Sequence, residues 1–300
     1  MQRSSKFLLK VGAGIGYFIL VVAAVVSLLP LHWVFATALQ LHDEVISHVP
    51  PLVPRVALEY IPKVLSGDGE GASQLLYDSL ENLRILFTRT DMVRWFLNSL
   101  IVSTSATVTI LFLDSLAAYA FAKKQFPGRD LLFWIMISTM MIPGHVTLVP
   151  MFRIIAVLGL RDNLLGVILP DIAMVFGVFL LRQFMRTIPT ELLDAAKIDG
   201  ASEFGIYSRV MLPLAKPGIA TLGILTFNAT WNSFLWPLIV LNKSQVMTLQ
   251  VGLKTLLDRN LVDYGMQMSG AAVAAFPVII VFLFFQGYFV KGLTLGSLKG

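Results

Sequence analysis

Six apolar stretches decide what this chain can become. They lie at about 11–36, 96–122, 131–152, 163–181, 217–241 and 270–290. A helix crosses a ~30 Å hydrocarbon core with ~20 largely apolar residues, and lipid admits only backbones that satisfy their own hydrogen bonds. The expected fold is therefore an all-α integral membrane protein of about six transmembrane helices. Composition agrees, since only 14% of residues are charged against ~25% in soluble proteins. Too little polar surface is left to cover a water-soluble globule. Arg3, Lys6 and Lys10 precede the first run as in a signal peptide, but that run continues uncharged to Leu41. A signal core spans only ~7–15 residues, so the run is read as a retained first helix.

Charge gives the orientation. With six spans both termini share one side. That side carries thirteen Lys and Arg residues, while the short loops opposite hold five: Arg153, Arg161, Lys243, Lys254 and Arg259. The excess places both termini in the cytoplasm. Residues 1–36 are then a cytoplasmic N-terminus and first span, 37–95 an external cap, and 96–300 a core of five spans. The cap is rich in acids, among them Asp43 and Glu44, and is broken by Pro50, Pro51, Pro54 and Pro62. Gly67-Asp68-Gly69-Glu70-Gly71 reads as a turn, followed by a short helix at 72–86. Pro143, Pro150 and Pro170 predict kinks in the third and fourth spans.

The cytoplasmic loop 182–216 has the most defined local signals. Thr190 is placed to cap a helix with its side chain. Glu191 and Asp194 put negative charge at that helix's positive end. Leu192, Ala195, Ala196 and Asp199 share a shallow face suited to close docking. Gly200 suits a left-handed helix stop. Ser202 caps a second helix, with Phe204, Tyr207, Ser208 and Met211 along one side. Pro213 and Pro217 lead into the fifth span.

This loop resembles the EAA loop of binding-protein-dependent ABC importers. The family pattern is Glu-Ala-Ala, three residues, Gly, nine residues, Ile, one residue, Leu-Pro. Here Asp194, Ala195, Ala196, Gly200, Val210, Leu212 and Pro213 keep the spacing, with Asp for Glu and Val for Ile. Trp231 to Leu238 resembles the Trp-Asn-x-Phe-x-Trp-Pro-Leu stretch of the maltose-type (MalG-like) branch. The tail 291–300, ending Leu298-Lys299-Gly300, resembles that branch's C-terminus. The resemblance covers about 96–300. It implies a type I ABC importer permease fold in the inner membrane of a bacterium. Glu191, Asp194, Ala195, Ala196, Asp199, Gly200, Leu212 and Pro213 would then form the contact with an ATPase. Leu298, Lys299 and Gly300 would reach the same partner. The implied partners are a homologous second permease, a homodimeric ATPase that holds ATP and magnesium, an extracytoplasmic solute-binding protein and a sugar.

Asn228, Thr230, Trp231, Asn232, Ser233 and Trp236 form a polar cluster in the fifth span. Such groups are costly in lipid and belong against protein or a water-filled path. Amides and aromatic faces suit a sugar, and polar packing between helices is the other reading. Pro237 is expected to unwind that helix. Asp114 within the second span reads as an interhelical partner or a transport group. His145 reads as a buried histidine, Asp171 as a helix cap, and Gly12 with Gly16 as a close helix contact. The sequence has no catalytic constellation, metal-ligand spacing or Gly-x4-Gly-Lys-Ser/Thr phosphate loop. ATP hydrolysis is thus expected on another chain. A permease for another solute, a self-sufficient secondary carrier and a non-transporting scaffold are the competing classes.

Overall fold

The computed structural model describes residues 2–41, 45, 52–257 and 264–294, with backbone alone for 2–11, 257 and 288–294. Asp43, Glu44, Pro50, Pro51, Arg259, Leu298, Lys299 and Gly300 lie outside the described residues. Among the described residues there is no strand. The first helix, α1 (Gln2–Ala38), contains Pro30 and continues the predicted span at both ends. The cap holds α2 (Arg55–Leu65), α3 (Gly69–Ser79) and α4 (Glu81–Arg89). The core follows with α5 (Met92–Lys123), α6 (Arg129–Ser138), α7 (Gly144–Val157), α8 (Leu164–Ile168) and α9 (Val175–Thr187). Then come α10 (Glu191–Ile198), α11 (Glu203–Ile206), α12 (Leu212–Leu214) and α13 (Lys216–Trp231). The last helices are α14 (Leu235–Val240), α15 (Leu249–Leu257) and α16 (Tyr264–Thr294).

Among the described residues, three single helices are long and apolar enough to cross a membrane: Gly12–Ala38, Met92–Lys123 and Tyr264–Gly287. Three bent pairs make up to six spans, with angles of 98° at Ile142–Pro143, 45° at Ile172–Met174 and 78° at Ala215. The first bend follows from Pro143, which cannot donate within a helix and holds Ile142 extended. The fifth span is shorter than predicted. It stops at Trp231, six residues before Pro237, whose ring excludes the carbonyl four residues upstream at Ser233, and it resumes as α14 with Pro237 in the first turn.

The chain divides into two compact units, residues 1–90 with 255–275 and residues 91–254 with 276–300. In the first, α2 packs on α3. Asp68 caps α3 by accepting from the Gly71 amide at 2.8 Å. The single helix expected at 72–86 is interrupted at Leu80. Asn82 donates to the Gln40 carbonyl at 2.9 Å, and Gly265 lies so close that a Cβ would meet its side-chain oxygen at 2.6 Å. A Cβ at Gly12 or Gly16 would meet nothing within 4 Å among the described residues of this chain.

In the second unit, α9 and α13 both pack along α5. Buried Ser103, Ala106, Ser115 and Ala118 let the helices approach closely. Asp114, 1% exposed, accepts from the Met174 amide through both oxygens, at 3.1 and 3.2 Å. It therefore covers the positive end of α9 from a neighbouring helix. Gly177 makes room, since a side chain there would overlap the carboxylate. Asp171 does not cap α9 as predicted: it ends a 3-10 turn, three residues too early. His145 is exposed in the isolated chain rather than buried, as are most residues of α7.

The N-terminal end of α5 is fixed by the segment after α14. Trp95 donates to the Ser244 carbonyl at 2.9 Å. Asn98 donates to the carbonyls of Gln245 and Met247 at 3.0 and 2.9 Å. Ser99 accepts from the Leu249 amide at 2.8 Å. Nearby, Asp162, with φ of 53°, accepts from the amides of Asn242 and Lys243 at 2.5 and 3.1 Å. These amides hold its carboxyl below the ordinary range.

Gly252→Val would press its Cβ into the Trp95 indole. We expect a loss of about 1–3 kcal/mol, read as a lower thermal midpoint in detergent; an unchanged midpoint would contradict this packing. Asp162→Ala should lower that midpoint at neutral pH. The depressed pKa means the lock is fully formed above the unfolded value, near pH 4. Its contribution disappears as pH falls through the lower folded value, so the gap between wild type and variant should close in acid. A gap independent of pH would exclude the carboxylate as its source.

Candidate functional site

The loop between the fourth and fifth spans is a helical hairpin with two chemically different sides. Pro189 ends α9 by holding Ile188 extended, at ψ 127°. Glu191 and Asp194 occupy the first turn of α10, as predicted. The Thr190 side chain makes no cap. Its own backbone is already helical, and its carbonyl instead accepts from Leu193 and Asp194 at 2.9 and 3.1 Å. Gly200 closes α10 at φ 80°. Its amide donates to the Lys197 carbonyl, and that of Ala201 to Ala196, both at 3.0 Å. These two bonds form a Schellman stop, which needs a left-handed residue at its centre. Ser202 then caps α11, accepting from Gly205 at 3.2 Å.

The second arm is wound loosely. A π turn over Tyr207–Met211 precedes α12. Pro213 cannot donate to the carbonyl four residues back, and a π turn accommodates that missing bond. At Ala215 the chain bends into α13, with Pro217 in its first turn.

The inner side of the hairpin belongs to the core. Leu193, Ile206, Tyr207, Met211 and Ala215 are buried with Ala118, Tyr119, Leu181 and Met185. Tyr207 and Ser115 share a hydrogen bond of 2.7 Å between their hydroxyls. Lys123 donates to the Ile188 carbonyl, where α9 ends. Arg182 donates to the Phe121 carbonyl at 3.3 Å and lies 3.9 Å over the Phe133 ring. Glu203 receives Lys124 and, at 3.3 Å, the Tyr119 hydroxyl. The hydrogen bond from Lys124 is the main reason the Glu203 carboxyl sits below its ordinary range.

The outer side carries the residues singled out from sequence. Glu191, Leu192, Asp194, Ala195, Asp199, Gly200 and Pro213 are exposed. Ala196 and Leu212 are half-buried and pack against the core, so the predicted docking face loses Ala196 to its inner edge. Leu193, the actual anchor of α10, was not singled out. Ile198 and Phe204 flank the Gly200 turn at 87% and 63% exposure. Phe204 keeps its ring contact with buried Tyr207, at 5.7 Å between centroids, as the helical spacing had placed it, while most of its own surface stays exposed. An isoleucine next to the helix-stop glycine was the available signal for Ile198.

The polar cluster of the fifth span separates into two groups. Trp231 is buried, edge-on to Phe96 at 5.5 Å and stacked on Phe227 at 5.8 Å. Trp236 donates to the Gly166 carbonyl at 3.2 Å, and Thr230 to Thr226 at 2.8 Å. Asn228 and Asn232 are exposed and joined by a 2.9 Å bond between their amides. Gln250 donates to Asn232 at 3.5 Å. Asn228 also lines a 210 Å³ cavity with Ile224, Phe227, Val278, Val281 and Phe282. Among the described residues no cluster of His, Asp or Glu could hold a metal ion.

The family described as "Binding-protein-dependent transport system inner membrane component" matches residues 96–295. The arabinooligosaccharides transport system permease protein AraQ of Bacillus subtilis is 43% identical over 223 residues, covering 74% of this chain and 79% of AraQ. The sn-glycerol-3-phosphate transport system permease protein UgpE of Rhizobium meliloti is 34% identical over 283 residues, 93% of this chain and 95% of UgpE. A chain in the crystal structure of a bacterial ABC transporter involved in the import of the acidic polysaccharide alginate superposes with a TM-score of 0.78. It is 23% identical, with 93% of this chain and 97% of that one covered. The fold is accordingly that of a type I ABC importer permease, and the chain belongs to the family of inner membrane components of binding-protein-dependent transport systems.

Proposed function

We propose that this chain is one of two permease subunits of an ATP-driven importer for a sugar or oligosaccharide. The observation that carries this reading is the hairpin 188–217. Its inner side is bonded to α5 and α9, while its outer side presents exposed Leu192, Ile198 and Phe204 beside Glu191, Asp194 and Asp199. An element anchored to the core, with an apolar and acidic tip around Gly200, suits a cleft on a separate ATPase. ATP and magnesium would reside there, since the sequence carries no phosphate loop of its own. Family membership supports the other partners, a second permease and an extracytoplasmic solute-binding protein. The charge distribution supports cytoplasmic termini and places the hairpin on the ATPase side.

The names of the relatives, arabinooligosaccharides and sn-glycerol-3-phosphate, support a carbohydrate or polyol phosphate as cargo. Asn228, Asn232 and Gln250 offer amide donors and acceptors for such a polyhydroxylated molecule. Trp231, Trp236 and Thr230 would hold the wall behind them. Closure of the ATPase would push the hairpin as a body and carry α5 and α9 with it, alternating access to the path.

Gly200→Val forces a β-branched residue into left-handed backbone, at about 1–2 kcal/mol. The variant complex should lose most substrate-stimulated ATP hydrolysis in liposomes, and normal stimulation would reject the docking role. Deleting residues 296–300 should leave membrane insertion intact and lower the transport rate several-fold. An unchanged rate in the truncated complex would remove the tail from the coupling contact.

A further inference from the structure

The external helix α2 has a hydrophobic face that no described residue covers. Leu58, Ile61 and Leu65 fall at i, i+3 and i+7 and are 61%, 64% and 82% exposed. The half-buried residues Val56 and Lys63 lie on the opposite side, and α2 packs against α3. Leu52 and Val53, just before the helix, are exposed as well. An aliphatic strip of this length is unfavourable in water and marks a contact surface.

Its position within the first unit identifies the contact. The Leu52 carbonyl accepts from His32 Nε2 at 2.9 Å. His32 lies on α1, six residues before its end at Ala38, thus about 9 Å inside the helix terminus. Trp33 follows it, the residue type that concentrates where hydrocarbon meets headgroups. Around and below this level α1 exposes Leu28, Leu29 and Leu31, as a lipid-facing helix does. The chain leaving α1 is therefore tied back to the bilayer boundary, and α2 starts from that boundary with its apolar side uncovered.

We propose that α2 is an interfacial helix that lies on the leaflet at the C-terminal end of α1, with Leu58, Ile61 and Leu65 at the acyl-chain boundary. On the topology proposed above this is the outer leaflet. The lipid contact continues the membrane-facing surface of α1 and does not depend on which solute is carried.

The chain contains no cysteine, so single Cys variants at Leu58, Ile61, Leu65 and the charged reference Glu59 can be labelled cleanly. Each is labelled with a nitrobenzoxadiazole fluorophore in the full chain, co-expressed with its partner subunits, in nanodiscs of phosphatidylethanolamine and phosphatidylglycerol. Brominated lipid should quench the three apolar positions several-fold more than Glu59, and iodide should reach them several-fold less. Equal iodide quenching at all four sites overturns the proposal and puts the face in water. Protection from both quenchers in the complex, lost in the chain alone, overturns it in favour of a partner subunit. Transport is not read in this assay, so either failure leaves the proposed importer function to its own tests.

Discussion

The carboxylate of Asp114 on the Met174 amide is the contact from which the hairpin end of the molecule is organised. Lipid supplies no donor or acceptor, so a helix that starts in mid-membrane must have its first amides met by protein. A buried acid on α5 does this for α9 and complements its positive end. With that end fixed, α9 has a defined start, a defined length and a proline-determined stop at Ile188. The hairpin begins there. Lys123 on the Ile188 carbonyl and Arg182 on the Phe121 carbonyl hold the same two helices together further along.

The hairpin then resolves two opposing demands. It must be stiff toward the helices it packs on and available on its outer side. Stiffness comes from Leu193, Ile206, Tyr207 and Met211, all buried, and from the Ser115–Tyr207 bond. Availability comes from a face of small or acidic residues ending at Gly200, with Ile198 and Phe204 uncovered beside it. The Schellman stop separates the two arms without a side chain at the turn, which keeps the tip low. The π turn and Pro213 in the second arm place the bend at Ala215 rather than within α13.

Much of this was legible in the residues. The apolar runs located the spans, because the thickness of a bilayer is fixed and the rise of a helix is fixed. Gly200 and Ser202 were readable because left-handed stops and side-chain caps are local events. Thr190 was misread, since capping depends on its backbone angle and not only on its hydroxyl. Asp171 was misread because the amide it seemed placed to serve was met from sixty residues away by Asp114. The polar cluster of the fifth span was readable as costly in lipid, yet not as two kinds. Trp231 and Trp236 went to packing, while Asn228 and Asn232 remained exposed.

The sequence by itself determined that this is a membrane protein of bent and straight helices, which loop is the hairpin and where that hairpin turns. Those properties follow from local terms: apolar length, proline, glycine and charge along the chain. Only the tertiary structure decided which side of each helix is spent on packing and which is left free. It also decided that α9 is capped from α5, and that α2 returns to the level of His32. Such choices are set by hydrogen bonds between residues far apart in the chain, whose partners no local pattern specifies.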